Sequence, residues 1–166
     1  MYHVVPMSEA YAREIACWQY PGAYAIYSLQ PSEELLTELL DGSYYVCLDG
    51  VGTLMGYFCF GQSARIPLSQ EQQALYQQDC LDFGLGMEPR RCGKGEGTAF
   101  MQAGLAFAAE TFPPKQLRLV VASFNQRAIH LYQKLGFVRQ AQVTHLRSGQ
   151  PFELMVRPST GNNSSL

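Results

Sequence analysis

The passage FGLGMEPRRCGKGEGTAF, Phe83 to Phe100, holds five glycines in eighteen residues and constrains the chain more than any other stretch. Glycine costs backbone entropy wherever a chain is ordered, so a cluster this dense marks backbone that turns sharply or is approached closely. Before it, CLDFGLGM reads as a strand. After it, TAFMQAGLAFAAE reads as a helix, apolar almost all round and so expected to be buried. A strand, a glycine loop and a helix in direct succession bring free backbone N–H groups to the positive end of a helix dipole, which makes an anion site. Side chains at Gly93, Gly95 and Gly97 would hold a phosphate off those N–H groups. Two common phosphate loops do not match. Walker A needs Ser or Thr after its lysine, and Lys94 is followed by Gly95; the dinucleotide fingerprint would need glycine at Thr98 or Phe100. A plain strand-to-helix turn stays open as the other reading of these glycines.

The flanking sequence alternates strand and helix. YHVV predicts a short strand, Ser8 an N-cap for a helix to about Trp18, and Ser32 the cap of a second helix over Glu33 to Leu40. SYYVCLDG and TLMGYFCFG predict strands joined through Asp49-Gly50, a strong hairpin signal. The Gln-rich stretch from Gln62 to Gln78 predicts a loop with some helix. The helix after the glycines is expected from about Gly95 to Glu110, stopped by Pro113-Pro114. QLRLVVAS then reads as a buried strand, NQRAIHLYQKLG as a helix ending at a glycine, and FVRQAQVTHLRSGQPFELMVRP as a hairpin turning at Ser148-Gly149. The order β-α-α-β-β-β-α-β-α-β-β predicts an α+β domain over residues 1–158 with a mostly antiparallel sheet. The polar end STGNNSSL, 159–166, predicts a frayed tail.

Composition narrows the function classes. A chain of 166 residues can bury roughly 70% of its unfolded surface, enough for one sizeable core. With 47% hydrophobic residues, 16% charged residues and a net charge of -2, neither disorder nor a basic nucleic-acid surface is indicated. No apolar run reaches membrane-spanning length and the start lacks a leader pattern, so the expectation is a soluble, cytoplasmic protein with no membrane and no nucleic-acid partner. The five cysteines at 17, 47, 59, 80 and 92 form no C-x-x-C pair and predict reduced thiols; with His3, His130 and His145 scattered, no metal site is expected.

A second constellation follows the buried strand. In FNQRAIHLYQKLGF, Asn125 can cap a helix, and Tyr132 lies two turns on along the same face, so an amide and a phenol would project from one side. Together, CGKGEG and NQRAIHLYQKLGF resemble the pyrophosphate loop [RQ]-x-x-G-x-G/A and the N-x-x-A-x-x-x-Y-x-x-x-G-F segment of the GNAT superfamily of acetyl-CoA-dependent N-acetyltransferases. The resemblance covers about residues 80 to 140, and the rest by element order. One position departs: Cys92 stands where Arg or Gln is usual, with Arg90 and Arg91 just before it.

The resemblance implies a GNAT fold with a splay between the fourth and fifth strands, and acetyl-CoA as cosubstrate without a metal. Leu85, Gly86 and Met87 would lie along the pantetheine, with glycine in that strand permitting close approach. Cys92, Gly93, Lys94, Gly95, Glu96, Gly97 and Thr98 would surround the pyrophosphate, and Asn125 would hydrogen-bond the pantetheine arm. Tyr132 would protonate the departing thiolate, and Asp82, where several relatives carry a glutamate, would serve as general base, directly or through a water. A lysine-type amine of pKa ~10.4 costs roughly 4.6 kcal/mol to deprotonate at pH 7, an α-amino group near 8 only about 1.4 kcal/mol, so a base matters more for the first. Glu88 reads as a solvated loop charge. The acceptor is expected to be a primary amine of a small molecule or a peptide or protein N-terminus. Its site would be walled by the segments Gln19 to Gln30 and Gln62 to Gln78, with Tyr20, Tyr24, Tyr27 and Tyr76. Oligomeric state is left open, a homodimer included. Two other readings stay open: a hydrolase or redox protein using Cys92, whose neighbouring arginines and helix N-terminus would lower a thiol pKa, and a non-catalytic acyl-CoA-binding module.

Overall fold

Local capping decides where the first helices begin. In the computed structural model, which describes residues 1–159, Ser8 accepts a hydrogen bond from the Tyr11 N–H and Ser32 one from the Leu35 N–H. Each satisfies a donor that the first helical turn leaves orphaned. The elements run β1 (His3–Pro6), α1 (Glu9–Ala16), α2 (Glu33–Leu39), β2 (Tyr44–Leu48), β3 (Leu54–Phe60), β4 (Cys80–Met87), α3 (Gly97–Thr111), β5 (Gln116–Ala122), α4 (Gln126–Lys134), β6 (Val138–Thr144) and β7 (Pro151–Arg157). Short 3-10 turns cover Gly22–Tyr27, Gly61–Ala64 and Gln72–Gln77. The strand order is β1-β2-β3-β4-β5-β7-β6, a seven-stranded sheet, antiparallel in its registered pairs except for the parallel β4–β5 pair. That parallel pair holds Cys80 to Asp82 against Gln116 to Arg118. Among the described residues no register is seen beyond it, although β4 continues to Met87 and β5 to Ala122.

The chain divides into two units, Met1–Cys59 with Leu85–Thr111, and Phe60–Gly84 with Phe112 onward. In the first, Ile15, Leu39, Val46, Met55, Phe58, Phe100 and Met101 are buried, and the Phe58 and Phe100 rings stack at 4.6 Å. In the second, the core holds Leu119, Val121, Ile129, Phe137, Phe152 and Leu154. Its β7 pairs with β5 on one side and β6 on the other.

Two expectations need correction. α3 buries only Phe100, Met101, Gly104 and Ala108, while Gln102, Ala106 and Ala109 face solvent. Alanine counts as apolar in a pattern but costs little on a surface, so the run is a one-sided helix. The β2–β3 connection is longer than an Asp49-Gly50 turn: the Asp49 N–H bonds the Thr53 carbonyl, and the left-handed residue is Gly52, at φ 85°. In β4, the Tyr57 ring approaches Gly86 so closely that it would lie 2.4 Å from a Cβ placed there. The tail assigned to 159–166 lies, beyond Ser159, outside the described residues. No described helix is long and apolar enough to cross a membrane.

Candidate active site

The glycine loop lies in the first unit and has a backbone form that could cradle an anion. Gly93 and Gly95 both take left-handed backbone, at φ 74° and 80°, a conformation that no non-glycine residue adopts among the described residues. The requirement is therefore conformational as well as steric. A Cβ at Gly95 would meet nothing within 4 Å, so the loop opens onto free space. α3 starts at Gly97 and its first closing bond runs from the Phe100 N–H to the Glu96 carbonyl. Among the described residues no acceptor takes the backbone N–H groups of Gly93 to Ala99. A row of unsatisfied donors at a helix start is what an anion needs, and a diphosphate fits this loop on its backbone alone. Lys94 and Thr98 are exposed beside it; Leu85, Gly86 and Met87 of β4 are half-buried.

The arginines ahead of the loop are already occupied. Arg90 is paired with Glu88 at 3.2 Å, and Arg91 with both Glu96 and Asp49. Glu88 is not a solvated charge. It is buried, its carboxylate accepts from the Arg90 backbone N–H at 3.0 Å, and its own N–H donates to the Met55 carbonyl at 2.8 Å. Cys92 is half-buried, its thiol directed at the carbonyls of Glu88 and Met87, 3.6 and 3.8 Å away. From the aromatic segment, the Tyr20 hydroxyl donates to the Met87 carbonyl at 2.6 Å. Burial pushes its pKa far up, so the phenol stays protonated.

In the second unit Asp82 is 3% exposed and sits between two guanidinium groups. Arg118 donates to Oδ1 at 2.6 Å and to Oδ2 at 2.9 Å, and Arg65 to Oδ2 at 2.7 Å. Arg118 also bonds the carbonyls of Leu75, Tyr76 and Gln78, so it pins the 3-10 turn to the sheet. Tyr76 is part of this cluster: its ring lies 4.8 Å from the Arg65 guanidinium carbon and 4.9 Å from that of Arg118, and its hydroxyl accepts from the Ile66 N–H. It is buried. Sequence reasoning missed Arg118. The available signal was a lone charge inside the apolar run QLRLVV, which a buried strand tolerates only with a partner.

α4 brings Asn125 and Tyr132 to one element. The Asn125 side chain accepts from the Ala128 N–H at 3.2 Å, so it is a helix cap, and Tyr132 is buried with its ring edge-on to Phe137 at 6.1 Å. A further buried carboxylate, Glu153 on β7, accepts from the Ser123 hydroxyl and from the Gln142 amide. Burial raises its pKa, but these hydrogen bonds together with the Arg139 charge outweigh burial and leave it lowered.

The comparisons with known proteins bear on the family and the fold. The pattern of the Acetyltransferase (GNAT) family matches residues 10–137. Over 67 residues the chain is 37% identical to a mycothiol acetyltransferase from Salinispora arenicola (strain CNS-205), a match spanning 40% of this chain but only 22% of that relative. In structure it resembles a chimera of the spermidine N-acetyltransferase SpeG from Vibrio cholerae and hSSAT, with TM-score 0.72, 18% identity and 95% of each chain covered. Mutant forms of the spermidine/spermine N-acetyltransferase SpeG from Vibrio cholerae align with TM-score 0.67 at 17% identity, again over 95% of each chain. With the family pattern spanning strand, glycine loop and capped helix alike, the chain belongs to the acetyltransferase (GNAT) family.

Proposed function

We propose that this protein transfers an acetyl group from acetyl-CoA directly to a primary amine of a small molecule or of a peptide or protein N-terminus. The observation that carries the reading is the Gly93–Gly97 loop, with its two left-handed glycines and its untaken N–H groups at the start of α3. Acetyl-CoA supplies an activated thioester carbonyl. The backbone from Gly93 to Thr98 would hold its pyrophosphate, β4 from Leu85 to Met87 and the Asn125 amide its pantetheine arm, and Tyr132 Oη would supply the proton that the leaving sulfur takes up. Asp82 is proposed to organise its surroundings. Its two oxygens accept three hydrogen bonds from Arg65 and Arg118, which supports an anchoring role over proton abstraction. Without a strong base, an amine of α-amino type is the easier acceptor, since about 1.4 kcal/mol makes it neutral at pH 7. Acetyl-CoA turnover across a panel of α-amino, lysine-type and polyamine acceptors, followed by free thiol release, tests the function. Thiol release with none of them would overturn it.

Gly95→Val is expected to weaken acetyl-CoA binding by more than tenfold, because a β-branched residue resists φ 80° and its side chain enters the space left for the anion. Calorimetry checks this; an unchanged Kd would remove the pyrophosphate from the loop. Cys92→Ala is expected to keep acetyl transfer within about an order of magnitude, because backbone groups do the holding. Both neighbouring arginines are paired with carboxylates, so the charge that would activate a thiolate is already compensated. A dead Cys92→Ala enzyme, with wild-type alkylation by iodoacetamide that acetyl-CoA does not slow, would favour the cysteine reading.

A further inference from the structure

An ion cluster spans the glycine loop, and its outermost member belongs to a distant part of the chain. Arg91 precedes the loop and Glu96 follows it. The Arg91 guanidinium donates from Nε to Glu96 Oε2 and from Nη2 to Glu96 Oε1, each at 3.1 Å. Its remaining arm, Nη1, donates to Asp49 Oδ2 at 2.8 Å. Asp49 opens the β2–β3 turn, where its other oxygen, Oδ1, accepts from the N–H groups of Val51 and Thr53 at 3.0 and 2.9 Å. The turn thus fixes a carboxylate, the carboxylate fixes a guanidinium, and the guanidinium ties one end of the loop to the other. We infer that Arg91 is a positioning residue for the pyrophosphate loop, and that the chain Asp49–Arg91–Glu96 sets acetyl-CoA affinity without Asp49 or Arg91 touching the cofactor. This rests on the acetyltransferase reading of the loop.

The physical reason is preorganisation. Gly93, Lys94 and Gly95 are exposed, and glycines have the most conformational freedom to lose when an anion orders them. A bidentate fork across the loop removes part of that freedom before binding, and a planar guanidinium does this where an ammonium cannot. The cluster is intact over the working pH range. The Arg91 hydrogen bond, helped by the turn N–H groups, holds Asp49 down at about 2, and Arg91 likewise lowers Glu96, so both carboxylates are ionised near neutrality.

The sign of one substitution decides the matter. By charge alone, neutralising an acid near an anion site tightens anion binding. A brace predicts the reverse. In Asp49→Asn, Oδ1 still accepts from Val51 and Thr53, while the new NH2 opposes the Arg91 guanidinium, donor against donor. The expected result is an acetyl-CoA Kd raised about tenfold by calorimetry, with the acetyl-CoA KM rising in step, the acceptor KM kept and the melting temperature little changed. Arg91→Lys, which keeps the charge but loses the fork, is expected to weaken binding comparably. Unchanged or tighter binding in Asp49→Asn, or full affinity in Arg91→Lys, would overturn the inference, as would an acceptor KM that moved together with the cofactor's. Wild-type protein that binds no acetyl-CoA would remove the functional reading, and the inference with it.

Discussion

Tyr132→Phe is expected to lower kcat on the true acceptor by about 10²–10⁴-fold while leaving acetyl-CoA affinity within a few-fold, the pattern of a group acting in the transition state. Tyr132 is buried on α4, its ring stands edge-on to Phe137, and its carbonyl accepts from the N–H groups of Leu135 and Phe137. Phenylalanine keeps the ring, the packing and every backbone bond, so only the hydroxyl is lost. A fall in kcat with an unchanged melting temperature would then report a lost proton donor and not a loosened helix. The comparison belongs at saturating acetyl-CoA and with chemistry shown to limit the rate. Full kcat under those conditions would mean that the sulfur takes its proton from elsewhere.

What was legible in the sequence was mostly local. Ser8, Ser32 and Asn125 were readable as caps because a cap and its N–H lie three residues apart, and the structure has all three bonds. Long elements such as β4 and β5 were readable for the same reason. What could not be read depended on neighbours far along the chain. Gly86 is closely approached by Tyr57, and the Tyr76 ring packs against Arg65 and Arg118. Arg91 was legible as a charge near a phosphate loop, but nothing local showed that Asp49 and Glu96 already occupied all three of its arms. The misread burial of α3 has another cause: alanine carries almost no information about which side of a helix is wet.

Arg118→Leu is expected to be the costliest single change in the second unit, destabilising by about 3–5 kcal/mol because it strips a buried carboxylate of its main partner. For a chain of this size that lowers the melting temperature by roughly 6–20 °C. Arg118 is 1% exposed, and although burial opposes its charge, the hydrogen bonds and charge of Asp82 prevail and leave its pKa raised. Asp82 would keep one partner, Arg65, whose side chain is 34% exposed. Replacing a buried ion pair by two apolar residues is often nearly neutral, so Arg118→Leu combined with Asp82→Leu separates the pair from its surroundings. Only partial recovery is expected, since the carbonyls of Leu75, Tyr76 and Gln78 would still be left without their donor. Asp82→Asn completes the test. As an anchor, Asp82 gives a lower melting temperature and a pH–rate profile that stays in place. As the general base it gives a profile displaced toward higher pH, because the amine must then lose its proton unaided. An unshifted profile with lost stability is the expected outcome, since three guanidinium N–H bonds already take up the carboxylate that would otherwise receive the proton.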